Sequence, residues 1–289
     1  MLKHFVAEAT KPGRVVVAGA AGFVGRAVAD RLERDGIEVL RLTRRDVDLA
    51  DTGAETKLAS VLRAGDAFVA AAARAPCKNP DMLVENMLIA RTLAKALGSS
   101  PVSHVVNISS DAVYADSREP LTEMSCASPE SLHGAMHLAR EAMLRSELRQ
   151  PLAVLRPSLL YGTGDPHNGY GPNRFRRLAA GGQPIVLFGE GEERRDHVHV
   201  DDLGELVARV LYRKSTGVLN VATGQVHSFR EIAEQIAALA GREVQIRGSA
   251  RQGPMPHNGF RPFDVTACHQ AFPDFRYTPL AEGLRRILS

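Results

Sequence analysis

Tryptophan is absent from the 289 residues, and aromatic side chains together make up only 5%. A core built without large rings must be aliphatic. That favours buried parallel strands and alanine-rich helices over an aromatic sandwich. Hydrophobic residues still reach 44%, enough for one large domain or two modest ones. Cysteine is scarce: Cys77, Cys126 and Cys268 lie far apart and form no CxxC pair. This pattern gives no disulfide framework and no metal-ligand spacing, and reads as reduced thiols in a reducing compartment. No stretch approaches the roughly 18 apolar residues of a membrane span. The first twelve residues carry no continuous apolar segment of the signal-peptide kind. The expectation is a cytoplasmic protein. Charge of one sign is also lacking in bulk, with a net charge of +3 and no run of five like charges. Neither nucleic acid nor a membrane surface is expected as a partner. A few arginines in a pocket would equally suit an anionic substrate.

What is present is a regular alternation. Arg14 to Ala18 is a short apolar run that ends at Gly19 and reads as a buried strand. From Gly22 to Arg34, apolar residues recur at helical spacing, and Gly36 closes that helix. Ile37 to Leu42 reads as a second strand, and Ala67 to Ala72 as a third. Met82 to Leu97 is a predicted helix, followed by a strand over Val102 to Ile108. A long helix over Pro129 to Leu148 and a strand over Leu152 to Leu155 complete the pattern. Strands alternating with helices imply crossovers and a doubly wound parallel sheet, the Rossmann-type α/β class. After Pro157, glycine and proline become frequent, and two further helices are predicted over Asp202 to Tyr212 and Phe229 to Ala240. The predicted division is a tail over 1–13, a dinucleotide-binding domain over 14–160, and a smaller substrate-binding region over 161–289 that partly returns to the sheet.

The sequence Gly19-Ala-Ala-Gly22-Phe23-Val24-Gly25 joins the first strand to the first helix. Gly19 permits the tight turn, Gly22 lets backbone approach a pyrophosphate, and Gly25 lets the helix pack close to the strand. The free N–H groups and positive end of the helix dipole would then hold the phosphates. A glycine triplet alone is weak; between a strand and a helix it has the confirming context. At the end of the second strand, an acid would bind the adenosine 2′-hydroxyl, whereas arginine accommodates a 2′-phosphate. Arg44 and Arg45 stand there, which favours NADP, while Asp46 and Asp48 just downstream keep NAD open.

Five segments then carry a resemblance: GAAGFVG at 19–25, SSDAVY at 109–114, LRPSLLYG at 155–162, LFGEGEERRDHVHVDDL at 187–203 and LNVATG at 219–224. In this order and spacing they resemble the extended short-chain dehydrogenases, and more narrowly the nucleotide-sugar epimerase/dehydratase/reductase family. The resemblance runs from about Arg14 to Leu288. It implies a Rossmann domain, a small C-terminal region that grips a nucleoside-diphosphate sugar, and hydride transfer at a sugar carbon. It further implies cofactor contacts at Phe23, Val24, Asp48, Leu49, Ala71, Ala72, Ala73, Ser109 and Pro157, beside the three glycines and the two arginines. Ser110 matches the hydroxyl that bonds the reacting sugar oxygen. Asp111 lies next to it on the substrate side. Asn173 matches a polar contact to the diphosphate, Arg195 the arginine that holds the nucleotide, and Arg261 a second phosphate-binding arginine. The family's paired helices imply a homodimer.

One motif departs. The family carries Tyr-x-x-x-Lys on the long helix, with the tyrosine as acid/base and the lysine on the nicotinamide ribose. Here His133 and His137 stand at those two positions. Imidazole titrates near neutrality and can pass a proton. It is roughly 2 Å shorter than a phenol, while proton transfer needs heavy atoms at about 2.6–3.2 Å, so a bridging water would have to close the gap. Family dehydratases carry Asp-Glu after the reactive residue, and here the pair is Asp111-Ala112, which argues against 4,6-dehydration. Three readings remain. The first is an NADPH-dependent reductase of a 4-keto nucleotide sugar, the second a 4-epimerase. The third, of another class, is a module that binds NADP(H) and nucleotide sugar without chemistry.

Overall fold

Every residue of Arg14–Ala18 is buried, yet its side chains serve two different cores. Val15 and Val17 join Val28, Leu32, Leu206 and Val210 on one face; Val16 and Ala18 join Leu58, Leu93 and Leu144 on the other. A strand covered on both faces needs an unbroken apolar run, and RVVVA supplies it. This arrangement is seen in a computed structural model of the chain, which describes residues 2–288.

The first half contains β1 (Arg14–Ala18), α1 (Phe23–Arg34), β2 (Glu38–Leu42), α2 (Ala54–Val61), β3 (Ala67–Ala70), α3 (Pro80–Gly98), β4 (His104–Ile108), α4 (Leu132–Glu147) and β5 (Leu152–Pro157). The second half contains β6 (Leu159–Tyr161), α5 (Pro172–Ala180), β7 (Ile185–Phe188), β8 (Arg194–His199), α6 (Val200–Tyr212) and β9 (Gly217–Val221). It ends with β10 (Val226–Ser228), α7 (Phe229–Leu239), β11 (Ile246–Ser249), β12 (Phe260–Arg261), α8 (Thr266–Ala271) and α9 (Leu280–Leu288).

The main sheet has six strands in the order β2-β1-β3-β4-β5-β9, and every neighbouring pair is parallel. Chain order reverses at β1, which lies between β2 and β3. The crevice beyond the carboxyl ends of strands at such a switch point is where ligands bind in open α/β sheets. Helices α1 and α6 pack together on one face, while α2, α3 and α4 cover the other. A second sheet, β10-β8-β12 with β6 also on β8, and the parallel pair β7–β11 form the smaller region. Its core is Phe175, Leu187, Phe229, Ile232 and Leu284. The chain returns from β8 through α6 to β9, which pairs with β5 at the edge of the main sheet.

Several bounds differ from the sequence reading. Helix α4 starts at Leu132 rather than Pro129, because the Ser131 hydroxyl accepts the Gly134 N–H at 3.1 Å and caps the helix there. Strand β3 stops at Ala70, and residues 71–73 leave the ladder to form a cavity wall. Helix α2 was not expected; it follows Gly53 in the left-handed region (φ 77°) and buries only Ala54 and Leu58.

Candidate active site

A cavity of about 280 Å³ opens at the switch point. Gly19, Ala21 and Gly22 line one side, and Ala71, Ala72, Ala73 and Ile89 the other. The glycines are held there by close approach. A Cβ on Gly19, whose φ is 85°, would lie 2.7 Å from the Ala72 backbone; one on Gly25 would lie 2.2 Å from the Gly19 carbonyl oxygen. Gly22 caps α1 without any side-chain acceptor, so the amides of the first turn have no side-chain partner. A cradle with no room for side chains, at the positive end of a helix dipole, fits the pyrophosphate of a dinucleotide. Beside it the Phe23 ring approaches Gly162, Val24 packs on the core, and Pro157 is buried at the end of β5.

At the end of β2, Leu42, Thr43, Arg44, Asp48 and Leu49 line the same cavity. The Arg44 guanidinium donates to Asp48 at 2.7 Å and lies 3.5 Å from Glu85 of α3, while its side chain stays 70% exposed. Asp48 sits below the ordinary carboxylate range because Arg44 holds its charged form. Arg45 is exposed and stands outside the cavity lining. Glu85 and Arg74 complete the wall. Sequence reading missed both, since a helix residue 41 positions beyond Arg44 carries no local signal.

At the carboxyl end of β4, Ser109 donates to Glu141 at 2.6 Å. Glu141 is fully buried; Arg156 grips it with two bonds of 2.9 and 2.6 Å, and Arg145 adds a third at 2.9 Å. Ser110 follows, its hydroxyl accepting the Ala112 N–H at 3.1 Å. Helix α4 presses on this turn at Gly134, where a Cβ would stand 2.0 Å from the Ala112 carbonyl oxygen. Beside that contact, His133 and His137 meet edge to face, with ring centroids 4.7 Å apart. His133 Nδ1 accepts the Cys77 N–H at 3.4 Å. Burial lowers the His133 pKa, against the opposing pull of Asp111. His137 is buried, its Nδ1 has no partner, and its pKa falls well below the ordinary value through burial and the nearby His133 and Arg140. It is therefore neutral at pH 7 and supplies no cation.

Beyond Ser110 lie the two predicted phosphate arginines. Arg195 in β8 and Arg261 in β12 are direct partners in register. Arg261 donates to the Asp111 carboxylate at 2.9 Å, to its carbonyl oxygen at 2.7 Å and to Asp116 at 2.9 Å. Arg195 lies 3.7 Å from the same Asp111 carboxylate and 3.3 Å from Glu193. Both guanidiniums are nearly buried and converge on Asp111. Asn173 is buried; its side-chain oxygen accepts the Gly162 N–H at 3.0 Å and its amide donates to the Leu160 carbonyl at 3.3 Å. That leaves one N–H for a ligand. No group of three or more histidine, cysteine or carboxylate side chains among the described residues could hold a metal. No helix among them is long and apolar enough to cross a membrane.

Comparison with known proteins agrees with this layout. The profile described as "NAD dependent epimerase/dehydratase family" matches residues 15–222. The chain is 27% identical to GDP-L-fucose synthase of Escherichia coli, over 89% of this chain and 90% of that protein. It is also 27% identical to dTDP-4-dehydro-6-deoxy-D-allose reductase of Streptomyces bikiniensis, over 93% of each. Among solved structures, Thermus thermophilus UDP-glucose 4-epimerase in complex with NAD superposes with a TM-score of 0.80 at 25% identity, covering 95% of this chain and 97% of that one.

Proposed function

The chain belongs to the NAD dependent epimerase/dehydratase family, and from that premise we propose that it reduces a nucleoside-diphosphate 4-keto sugar, with NADP(H) as cofactor. The observation that supports this most is the convergence on Asp111, beside Ser110: Arg195 and Arg261 both reach its carboxylate, and its charge acts on His133 of α4. A cavity with a glycine cradle and a buried arginine pair are what a dinucleotide and a diphosphate-linked sugar each require.

When bound, the reduced nicotinamide supplies a hydride to the C4 carbonyl carbon. The chain's residues do the rest. Ser110 bonds the C4 oxygen. His133, as imidazolium, gives that oxygen its proton, so the ketone becomes an alcohol. Arg195 and Arg261 exchange their carboxylate partners for the diphosphate, and Asn173 offers its free N–H. Arg44 turns from Asp48 to a 2′-phosphate. A 4-epimerase is the second reading. Its support is that Asp48 and Glu85 already flank Arg44, acids that would suit the 2′-hydroxyl of NAD.

The test is a turnover assay with UDP-, dTDP- and GDP-linked 4-keto sugars, each with NADPH and with NADH. The expected result is absorbance loss at 340 nm, faster with NADPH, and a product two mass units heavier than the ketone. Interconversion of C4 epimers without net cofactor consumption would move the assignment to epimerase. Tight sugar-nucleotide binding with no chemistry would leave a binding module.

A further inference from the structure

Arg44 and Arg45 were expected to meet a 2′-phosphate together, and only Arg44 lines the cavity. A second arginine lines it as well, from a different loop. Arg74 follows β3, and its backbone is fixed by one buried side chain. Asn86 of α3 accepts the Arg74 N–H at 2.9 Å and donates to its carbonyl oxygen at 3.0 Å. The Arg74 guanidinium donates to Oε2 of Glu85, the residue before Asn86, while Arg44 Nη1 lies 3.5 Å from Oε1 of the same carboxylate. Two arginines, one after β2 and one after β3, thus hold the two oxygens of a single acid at the β2 end of the cavity. An exposed ion pair of this kind contributes little to stability, so the arrangement calls for another reason.

Charge gives one. Asp48 and Glu85 both flank Arg44, which alone would leave this corner with one negative charge in excess. A phosphate monoester adds about −1.5 to −2 more at pH 7, so Arg44 by itself could not hold it there. Arg74 removes the excess before any ligand arrives. We infer that Arg44 and Arg74 form a two-armed clamp for the 2′-phosphate of NADP(H), with Glu85 as the internal anion that the phosphate replaces. This rests on the reading of the cavity as an NADP(H) site. Guanidinium N–H pairs take phosphate oxygens as they take those of a carboxylate, so the same two arms serve either anion. The side chains of Arg44 and Arg74 are 70% and 56% exposed, which lets them turn without opening the core. Glu85, at 16%, stays in the wall.

A residue that only supports the cavity wall would affect NAD+ and NADP+ alike, so the ratio of the two affinities separates the roles. Calorimetric titration of NADP+ and NAD+ into the wild-type protein, Arg74→Gln, Glu85→Gln and Arg45→Gln measures it. Arg74→Gln should weaken NADP+ at least about fivefold and change NAD+ by less than about twofold, the scale of one unit charge near a wet phosphate. Glu85→Gln frees both arms from a competing anion, so its ratio should shift further towards NADP+. Arg45→Gln should leave the ratio within about twofold of the wild type, as a screened surface charge does. Adenosine 2′,5′-bisphosphate against 5′-AMP should follow the same order, because the clamp needs no nicotinamide. A wild type that prefers NADP+ while folded Arg74→Gln keeps the full preference overturns the clamp and leaves the NADP(H) reading standing. Equal losses for both dinucleotides in Arg74→Gln, or a preference for NADP+ that falls in Glu85→Gln, also overturn it. A loss of preference in Arg45→Gln as large as in Arg74→Gln would give the second arm to Arg45 and overturn it too. A wild type that binds NAD+ as tightly as NADP+ removes the NADP(H) reading and the clamp together.

Discussion

His133 is where a single side chain decides the chemistry. As the proton donor in reduction it must work as imidazolium. Its pKa lies below the ordinary 6.5, lowered by burial and partly restored by Asp111. The active form is therefore populated below that lowered value and is lost as pH rises through it. Turnover of a 4-keto sugar is expected to be highest at the acid end of a pH 5–8 series and to fall towards pH 7. His133→Ala should lose about 10²–10⁴-fold, the usual contribution of a general acid. A flat profile together with an unaffected His133→Ala would exclude the role. At this scale the site was partly legible. The glycine turn could be read from its place between a strand and a helix, whereas Ser110, Arg195 and Arg261 were expected only through the family resemblance; the structure brings the two arginines together on Asp111. Cys77, Glu85 and Arg74 could be found in neither way. Each acquires its place through contacts that only the folded sheet creates, such as the bond from the Cys77 amide to a ring 56 positions on.

Elements position these residues, and one tight junction is α4 on the turn at Asp111–Val113. Gly134 makes it possible, since any Cβ there meets the Ala112 carbonyl oxygen at 2.0 Å and the Pro129 ring at 2.7 Å. Neither neighbour is the flexible end of a side chain, so in Gly134→Ala the helix itself must back away. Overpacking of this kind costs roughly 1–3 kcal/mol, and the displacement carries His133 away from Ser110. The expected outcome is a lower Tm and a loss of turnover larger than any change in dinucleotide affinity, because the glycine cradle lies on a different helix. Equal losses of turnover and affinity would contradict that division. Strands β1, β3, β4 and β5 were legible because burial on both faces writes a nearly continuous apolar run; edge strand β2 is only partly buried, and β9 was not expected. Helix α2 was not, because it buries only two residues and therefore needs little apolar pattern. The bounds of α4 slipped at its start because Ser131, and not the preceding proline, carries the cap.

At the scale of the whole molecule, α3 and α4 lie against one another with part of their apolar surface still uncovered. Val84 is 60% exposed and Leu132 is 37% exposed. Met87, Leu88, Ala135, Ala139 and Met143 are half-buried, and Ala142 is exposed. Ala90 and Ala94 of α3 are buried inside the subunit, and Ala94 packs in the core beneath the helix. What remains on the outside of α4 is a stripe of Leu132, Ala135, Ala139, Ala142 and Met143, spaced at three, four and seven residues as one helix face requires. Small side chains there allow a second pair of helices to approach closely, and we propose that two copies meet across this face as a four-helix bundle. Sedimentation over micromolar concentrations is expected to give twice the 31.2 kDa chain mass. Ala142→Glu and Val84→Asp place charges where the proposed contact would strip them of water without a partner, a severe cost at an interface. Each should raise the dissociation constant at least about tenfold. Because both positions face outward in the single chain, neither substitution should lower the stability of the monomer much. A wild-type protein that sediments as a monomer throughout that range would contradict the bundle. So would a dimer that both substitutions leave intact, since the contact would then have to use another face.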